Sequence, residues 1–329
     1  MFDSRDERGE MTVLVEIIDG TISEITDSVV SKIGNYTFAY CSNLTKAEFP
    51  NATTVGNSAF TECGNLSYVS IPNATIINDG AFTACSLLTS VNCQDVERIG
   101  ATAFYSCSRL AACSFPKASA ISYAAFMGCS SISEAIFPNV SMLSSRAFSG
   151  CANLTIASFD TLTYVSEMAF YWCSRMVTAS FPEAINIEKN AFCGCNALSS
   201  VYFPKVGYIK DLAFALCRYN LTTVNFPKCS QLGYQAFYNC ESLETAYFPK
   251  LSWRIYSSAF VSCSRLVELH LDSVTSVPAL SSSVFYSTPI GGYSTFAGRY
   301  GSVFVPASLY ESFLTAPNWS DIASRIVSV

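Results

Sequence analysis

The sequence is poor in charge and in histidine. Only 13% of its 329 residues are charged, and His270 is its single histidine. A Ser-His-Asp or Cys-His catalytic set would have to use that one residue, which is expected within a strand on an open face with no pocket, so the sequence predicts no enzyme. It also lacks a Lys/Arg run, and its formal net charge is −6. This balance disfavours nucleic acid and anionic lipid as partners.

Long apolar runs are missing as well, although half of the residues are hydrophobic. Ser, Thr, Asn and Pro interrupt the apolar segments, which are too short to predict insertion into a membrane. Residues 1–10 are charged and contain no apolar stretch, so no signal peptide is visible. The apolar content is ample for a buried core and argues against disorder.

A regular internal repeat is the strongest feature that is present. A phenylalanine recurs every 22 residues from Phe38 to Phe214, and then at steps of 23 to Phe237 and Phe260. In most units an alanine precedes this phenylalanine, and a cysteine follows it three residues later. The unit reads C-x-x-L-x-x-A/V-x-F-P-x-A/V-x-x-I/V-x-x-x-A-F-x-x. Such a period is typical of solenoids, in which each coil packs against the next.

Within the unit, the spacing predicts a strand that ends at a Phe-Pro pair. Ala47 and Phe49 alternate with Lys46 and Glu48, as in a strand with one buried face. Pro50 has no N–H and turns the chain out of the strand. The Ala-Phe segment would return on the opposite side as a short 3₁₀ or irregular turn.

The repeat divides the chain into three predicted regions. Residues 1–18 would form an N-terminal strand and cap, 19–288 about eleven coils of 22–23 residues with degenerate ends, and 289–329 a C-terminal cap. Parallel strands stack about 4.8 Å apart, so eleven coils predict a sheet roughly 50 Å long. Single extra residues lie between Cys217 and Leu221 and close to Trp253.

Strands and helical turns are also predicted at the two ends of the array. Val13–Ile18 has the pattern of a strand, and Ile22, Ile25 and Ile33 that of a degenerate first coil. At the other end, the sequence predicts a last strand and two helical segments, at Val303–Pro306, Leu309–Phe313 and Trp319–Ile326.

Most of the 15 cysteines belong to the repeat rather than to a separate site. One cysteine per coil predicts a line of buried thiols, and an odd total cannot pair fully. Cys93, Cys113 and Cys229 replace apolar core residues and are interpreted in the same way. Cys193 is expected at an exposed position, which leaves a reactive Cys193-x-Cys195 pair as an alternative. With no C-x-x-C and one histidine, neither zinc nor any other cofactor is predicted.

The repeat resembles the BspA-like leucine-rich repeats of bacterial and some protist proteins. Residues 33–44, followed by a strand and Phe49-Pro50, carry the resemblance, and the arrangement A-F-x-x-C-x-x-L recurs about ten times over roughly residues 20–288. It implies a leucine-rich-repeat solenoid, an α/β-type right-handed coil with a parallel β-sheet on one face and short 3₁₀ or irregular segments on the other. Residues 303–319 also resemble the endings of such proteins from gut bacteria and their phages. Family members are typically secreted or surface proteins that bind host proteins or other cells.

The outward positions of the predicted strands form the candidate binding face. Large or charged side chains stand out among small polar residues there, and the candidates are Tyr68, Ile136, Tyr202, Tyr247, Glu268 and His270. Exposed tyrosine is a common interface anchor. The alternative interpretation is that Ser, Thr and Asn solvate a β-face that tyrosines merely stiffen.

Two functional hypotheses follow from the sequence. The first is a monomeric, non-catalytic binding or adhesion module for a protein or glycan. The second is a structural component of a larger cell-surface or phage-fibre assembly.

Overall fold

The computed structural model describes residues 2–5, 11–15, 21–111 and 114–329, the first two segments as backbone only. The chain forms a parallel β-solenoid of about 14 turns with little helix, which confirms the predicted fold class. It consists of two compact units, Met1–Asp160 and Thr161–Val329. Cys113 and residues 16–18 of the predicted first strand lie outside the described residues.

Apart from the coil that includes residues 112 and 113, the coils from residue 24 to residue 270 each contribute a three-residue strand just before the corner, and these strands form what we call the long-strand face. In the first unit they are β3 (Glu24–Thr26), β5 (Lys46–Glu48), β7 (Tyr68–Ser70), β9 (Ser90–Asn92), β12 (Glu134–Ile136) and β14 (Ile156–Ser158). In the second unit they are β16 (Thr178–Ser180), β18 (Ser200–Tyr202), β20 (Thr223–Asn225), β22 (Thr245–Tyr247) and β24 (Glu268–His270).

A second run of parallel strands, not predicted from the sequence, follows the corner in each coil; we call it the short-strand face. Its strands in the first unit are β4 (Lys32–Ile33), β6 (Thr54–Val55), β8 (Ile76–Ile77), β10 (Arg98–Ile99), β11 (Ala120–Ile121) and β13 (Met142–Leu143). In the second unit they are β15 (Tyr164–Val165), β17 (Asn186–Ile187), β19 (Tyr208–Ile209), β21 (Gln231–Leu232), β23 (Arg254–Ile255) and β25 (Ala279–Leu280).

The Ala-Phe segment forms the third side of each coil through hydrogen-bonded turns. Ser58, Phe60 and Glu62 donate their N–H groups to carbonyl oxygens of the next coil at 2.7–2.8 Å. Ser58 and Glu62 have φ of 51° and 56°. This left-handed conformation is uncommon for residues other than glycine, and it recurs at the same two positions in most coils. Backbone hydrogen bonds therefore join successive coils on all three sides.

Two columns of phenylalanine rings fill the core. Rings of the Ala-Phe column in the first unit stack with centroids 5.0–5.2 Å apart, namely Phe38, Phe60, Phe82, Phe104, Phe126 and Phe148. Strand phenylalanines form a second column beside them, with Phe49 5.6 Å from Phe38. Each ring pair contributes about 0.5–1.5 kcal/mol beyond its buried area. The columns explain why the repeat needs phenylalanine at two fixed positions.

The repeat cysteines form a cysteine ladder beside these rings. All 14 cysteines within the described residues are buried thiols. Cys107 Sγ donates to the Phe82 carbonyl oxygen at 3.0 Å, and the same bond recurs between Cys85 and Phe60. The ladder thiols are thus the small core groups that were predicted, and they also connect neighbouring coils.

The expectation that Cys193 is exposed is wrong, because this residue is only 6% exposed. Its short side chain is covered within the stack, whereas the longer Tyr105 at the equivalent repeat position reaches solvent. Burial also raises the pKa of the Cys193 thiol to about 11. A buried thiol with a raised pKa is a poor nucleophile, which removes the argument for a reactive Cys193–Cys195 pair.

The ends of the array carry different elements. At the N-terminus β1 (Phe2–Arg5) and β2 (Met11–Val15) pair antiparallel, and β2 pairs parallel with β4. At the C-terminus the segments are β26 (Ser302–Val305), a 3₁₀ helix (Ala307–Leu309), α1 (Tyr310–Thr315), a second 3₁₀ helix (Ser320–Arg325) and β27 (Ile326–Ser328). These match the strand and the helical turns predicted there, except that β27 was not predicted.

Trp319 anchors the C-terminal segment to the last coils. Its side chain is fully buried, and its Nε1–H donates to the Pro278 carbonyl oxygen at 2.8 Å. Phe313 packs edge-on against it at 5.0 Å. In the described part of the chain, no helix has the length and apolar character that crossing a membrane requires.

Candidate binding surface on the long-strand face

The long-strand face presents alternate side chains of each strand to solvent. In β22 and β24 the middle residues Ala246 and Leu269 are fully buried, so the residues on either side of them point outward. Parallel pairing places Thr245 beside Glu268 and Tyr247 beside His270. The fold therefore brings Tyr247, Glu268 and His270 together on one surface.

Three aromatic rings stack on this surface across neighbouring strands. The His270 ring lies 4.3 Å from the Tyr247 ring with an interplanar angle of 19°, and 4.6 Å from the Phe304 ring with an angle of 14°. Phe304 belongs to β26, which pairs with β24 in the same register. Such a stack forms a preorganised, largely apolar platform, because little side-chain freedom remains for a partner to remove.

Two carboxylates flank the imidazole of His270. Its Nε2 lies 3.4 Å from Glu268 Oε2, and its Nδ1 lies 3.4 Å from Asp272 Oδ2. The His270 side chain is 17% exposed, while both carboxylates are more than twice as exposed. The surface therefore combines an aromatic platform with acceptor groups at its edges, a combination suited to a partner with both apolar and donor groups.

Phe304 and Asp272 are not among the residues predicted from the sequence. Asp272 lies two residues after His270, so strand alternation could have placed it on the same side. Phe304 could not be placed, because its pairing with His270 spans an irregular segment that breaks the 22-residue period.

Tyr202 does not lie in the same sheet as this platform. It is 56% exposed on β18, which belongs to a different sheet from β20 and β22. The strand residue next to Tyr247 is Asn225 instead. The extra residue between Cys217 and Leu221 precedes β20 and accounts for the interrupted pairing. Tyr202 is thus a separate exposed ring on the same face of the second unit.

Tyr68 and Ile136 belong to the first unit. Tyr68 is half-buried between Lys46 and Ser90 on neighbouring strands. Beside it, Lys46 donates a hydrogen bond to Glu48, which raises the pKa of Lys46 and lowers the pKa of Glu48. In its own unit, Tyr68 therefore lies among charged and small polar side chains.

Ile136 lies at a shallow groove. Its side chain is 56% exposed and lines an open space of about 280 Å³ together with Glu134, Ser114 and Pro138. Ile136 is thus an exposed apolar side chain with polar neighbours. Among the described residues, no group of three or more His, Cys, Asp or Glu side chains is arranged to hold a metal ion.

The fold and the repeated, exposed strand faces define the class of leucine-rich-repeat solenoids. The family model described as a BspA type leucine rich repeat region, with six copies, matches residues 21–120, 97–220 and 185–296. Since these matches cover most of the chain, the protein belongs to the BspA-type leucine-rich-repeat family. A search of curated proteins found no match.

Solved structures of bacterial repeat proteins are similar to this chain. A leucine-rich repeat protein from Bacteroides ovatus is 18% identical, with a TM-score of 0.61, and the match covers 100% of this chain and 98% of that protein. A leucine rich cell surface protein from Faecalibacterium prausnitzii is 22% identical, with a TM-score of 0.44, covering 84% and 85%. The first of these supports the fold alone.

Proposed function

We propose that the protein is a non-catalytic binding or adhesion module, and that its long-strand face contacts a protein or glycan partner. The single observation that carries this proposal is the stacked platform of Tyr247, His270 and Phe304. Aromatic rings held in place on a solvated sheet supply contact area at little entropic cost. Members of this repeat family are typically protein-binding or surface proteins.

Tyr202 extends the proposed contact surface within the second unit. Its exposed ring and the platform residues lie on strands of the same face, so one extended partner can contact both. Glu268 and Asp272 would orient that partner by accepting hydrogen bonds at the platform edge. Tyr68 and Ile136 stay candidates for a separate contact on the first unit.

The competing hypothesis is a structural role in a surface or fibre assembly. A binding module of this kind would be monomeric, whereas a fibre component would self-associate. Gel filtration with light scattering separates the two: a monomer supports the binding module, and concentration-dependent assembly supports the structural role.

The binding proposal is tested with immobilised extracellular matrix from cultured epithelial cells. We expect the protein to bind this matrix, and the combined variant Tyr202→Ser, Tyr247→Ser and His270→Ser to lose most of that binding. The matched control, Tyr105→Ser with Tyr123→Ser, removes two exposed tyrosines of the turn segments and should bind normally. Circular dichroism of both variants checks that they are folded.

Treating the matrix with protease or with periodate distinguishes a protein partner from a glycan. Equal binding by the wild type, the triple variant and the control would contradict the proposed surface.

A further inference from the structure

The short-strand face of the second unit carries an alternating row of aromatic and amide side chains. Parallel pairing in constant register places five residues side by side, in the order Tyr164, Asn186, Tyr208, Gln231 and Arg254. The tyrosines are 49% and 41% exposed, because the second residue of each short strand is the one that enters the core. Each tyrosine is thus followed by an amide in the next coil.

Trp253 lies beside this row, one residue before Arg254. The one-residue insertion near this point makes Ser252 and Trp253 both donate their N–H groups to the Ser230 carbonyl oxygen, at 3.3 and 3.1 Å. Two residues of this coil therefore pair with one residue of the preceding coil, as in a β-bulge. The Trp253 side chain is 61% exposed. Next to it, the Arg254 guanidinium lies over the Tyr256 ring, 5.4 Å from its centroid. Exposed aromatic rings consequently recur at every second coil, at Tyr164, Tyr208 and Trp253.

The fold itself does not demand these rings. The equivalent row of the first unit has the same pairing and the same buried partners, but contains no aromatic residue: Lys32, Thr54, Ile76, Arg98, Ala120 and Met142. The outward position is therefore unconstrained by packing. The stability of the coil therefore does not explain why aromatic residues occupy these positions in the second unit.

We propose that this row, together with the adjacent Trp253, binds a linear polysaccharide of neutral β-1,4-linked hexopyranoses. Strands in the sheet are about 4.8 Å apart, so the aromatic positions are spaced by about 10 Å. An extended β-1,4-linked chain advances by a comparable distance for every two sugars. Alternate sugars would then lie on the rings, and the sugars between them would face Asn186 and Gln231.

The chemistry of the two residue types supports this occupant. The axial C–H groups on a β-hexopyranose face carry partial positive charge and are attracted to the negative face of an aromatic ring. Asparagine and glutamine each offer donors and an acceptor, which matches the hydroxyl groups at the sugar edges. An α-1,4-linked chain coils and would leave the straight row after a few sugars.

Charge argues against a polyanion on this row. Lys210 and Arg254 are accompanied by Glu188 and Asp211, so the neighbourhood is close to neutral. The whole chain carries a net charge of −6. Nucleic acids gain most of their affinity from cationic contacts, which this surface does not concentrate.

Titration calorimetry with defined hexasaccharides tests the proposal. We expect cellohexaose or mannohexaose to bind the wild-type protein and maltohexaose not to bind. Tyr208→Ala should weaken that binding about tenfold, the loss expected for one stacked ring. Asn186→Ala should also weaken it, because two hydrogen-bonding groups are removed from the row. Both positions are solvent-facing, so the coil should keep its thermal stability.

The control variant is Tyr202→Ala, which removes an exposed tyrosine from the long-strand face of the same unit. Normal hexasaccharide binding by this variant, together with loss in Tyr208→Ala, separates this proposal from the proposed function. The inference is overturned if neither β-linked hexasaccharide binds, if maltohexaose binds equally well, or if Tyr208→Ala leaves binding unchanged. It is also overturned if Tyr208→Ala abolishes binding to a protein of the epithelial matrix instead.

Discussion

The cysteine ladder offers a quantitative test of how neighbouring coils are joined. Cys107 is fully buried, and its Sγ–H donates to the Phe82 carbonyl oxygen at 3.0 Å. That same carbonyl accepts the N–H of Cys85 at 3.2 Å, within its own coil. Each phenylalanine carbonyl thus serves two donors, one from its own coil and one from the next.

Replacing Cys107 by alanine removes both the thiol donor and a buried sulfur atom. A neutral hydrogen bond contributes about 0.5–1.5 kcal/mol. The lost sulfur costs about 1 kcal/mol, on the scale of a buried methylene. We therefore expect Cys107→Ala to lower the free energy of unfolding by about 2 kcal/mol. Cys107→Ser keeps a donor at this position, so its loss should be smaller, about 1 kcal/mol.

Urea unfolding monitored by circular dichroism measures these differences, provided that the slope with denaturant is the same in all variants. Cys193 is the matched control, because it is buried but lies off the ladder. Within the described structure its thiol does not make the ladder bond, so Cys193→Ser should not be more stable than Cys193→Ala. If Cys107→Ser were less stable than Cys107→Ala, the thiol bond would not join the coils.

Two further predictions concern the thiols and a close contact between coils. Burial raises the pKa of Cys63 and of Cys107 from the ordinary 9.0 to about 12. A group that holds its proton more tightly when folded contributes stability that is complete below pH 9 and is lost as pH rises towards 12. The urea concentration at the midpoint of unfolding should therefore decrease as the pH is raised from 9 towards 12. A midpoint concentration that stayed constant over this range would contradict the burial of the thiols. Gly100→Ala would place a Cβ 2.5 Å from the Asn78 carbonyl carbon, whereas Gly64→Ala meets nothing within 4 Å. We expect the first variant to lower the unfolding temperature and the second to leave it unchanged; equal midpoints in thermal scans would refute the contact.

Much of the fold followed from the repeat in the sequence. The constant spacing of phenylalanine, cysteine and Phe-Pro predicted the coil, its corner and the long-strand face, because each position has one packing role. The short-strand face was not predicted, since two residues are too few to show the alternation that identifies a strand. The turns were left undefined for a different reason: nothing in the residue types of Ser58 or Glu62 indicates a positive φ.

The candidate surface was predictable only where the period holds. Tyr247 and His270 could be placed side by side by counting residues, and the structure places them so. Their stacking with Phe304 depends on a strand that begins more than 30 residues after His270 and so breaks the 22-residue period. Residue counting could not show that Tyr202 lies in a different sheet from Tyr247 and His270, because the insertion before β20 interrupts the pairing.

The constant register has a consequence for how such a chain changes over time. In the first unit, most side-chain hydrogen bonds between coils join residues 22 positions apart, such as Thr45 with Ser23 and Ser67 with Thr45. Each coil therefore presents the same donors, acceptors and rings to both neighbours. Unequal recombination that deletes or duplicates a whole repeat would recreate the same contacts at the new junction. The length of the array can thus evolve in steps of one coil, while the outward residues diversify independently.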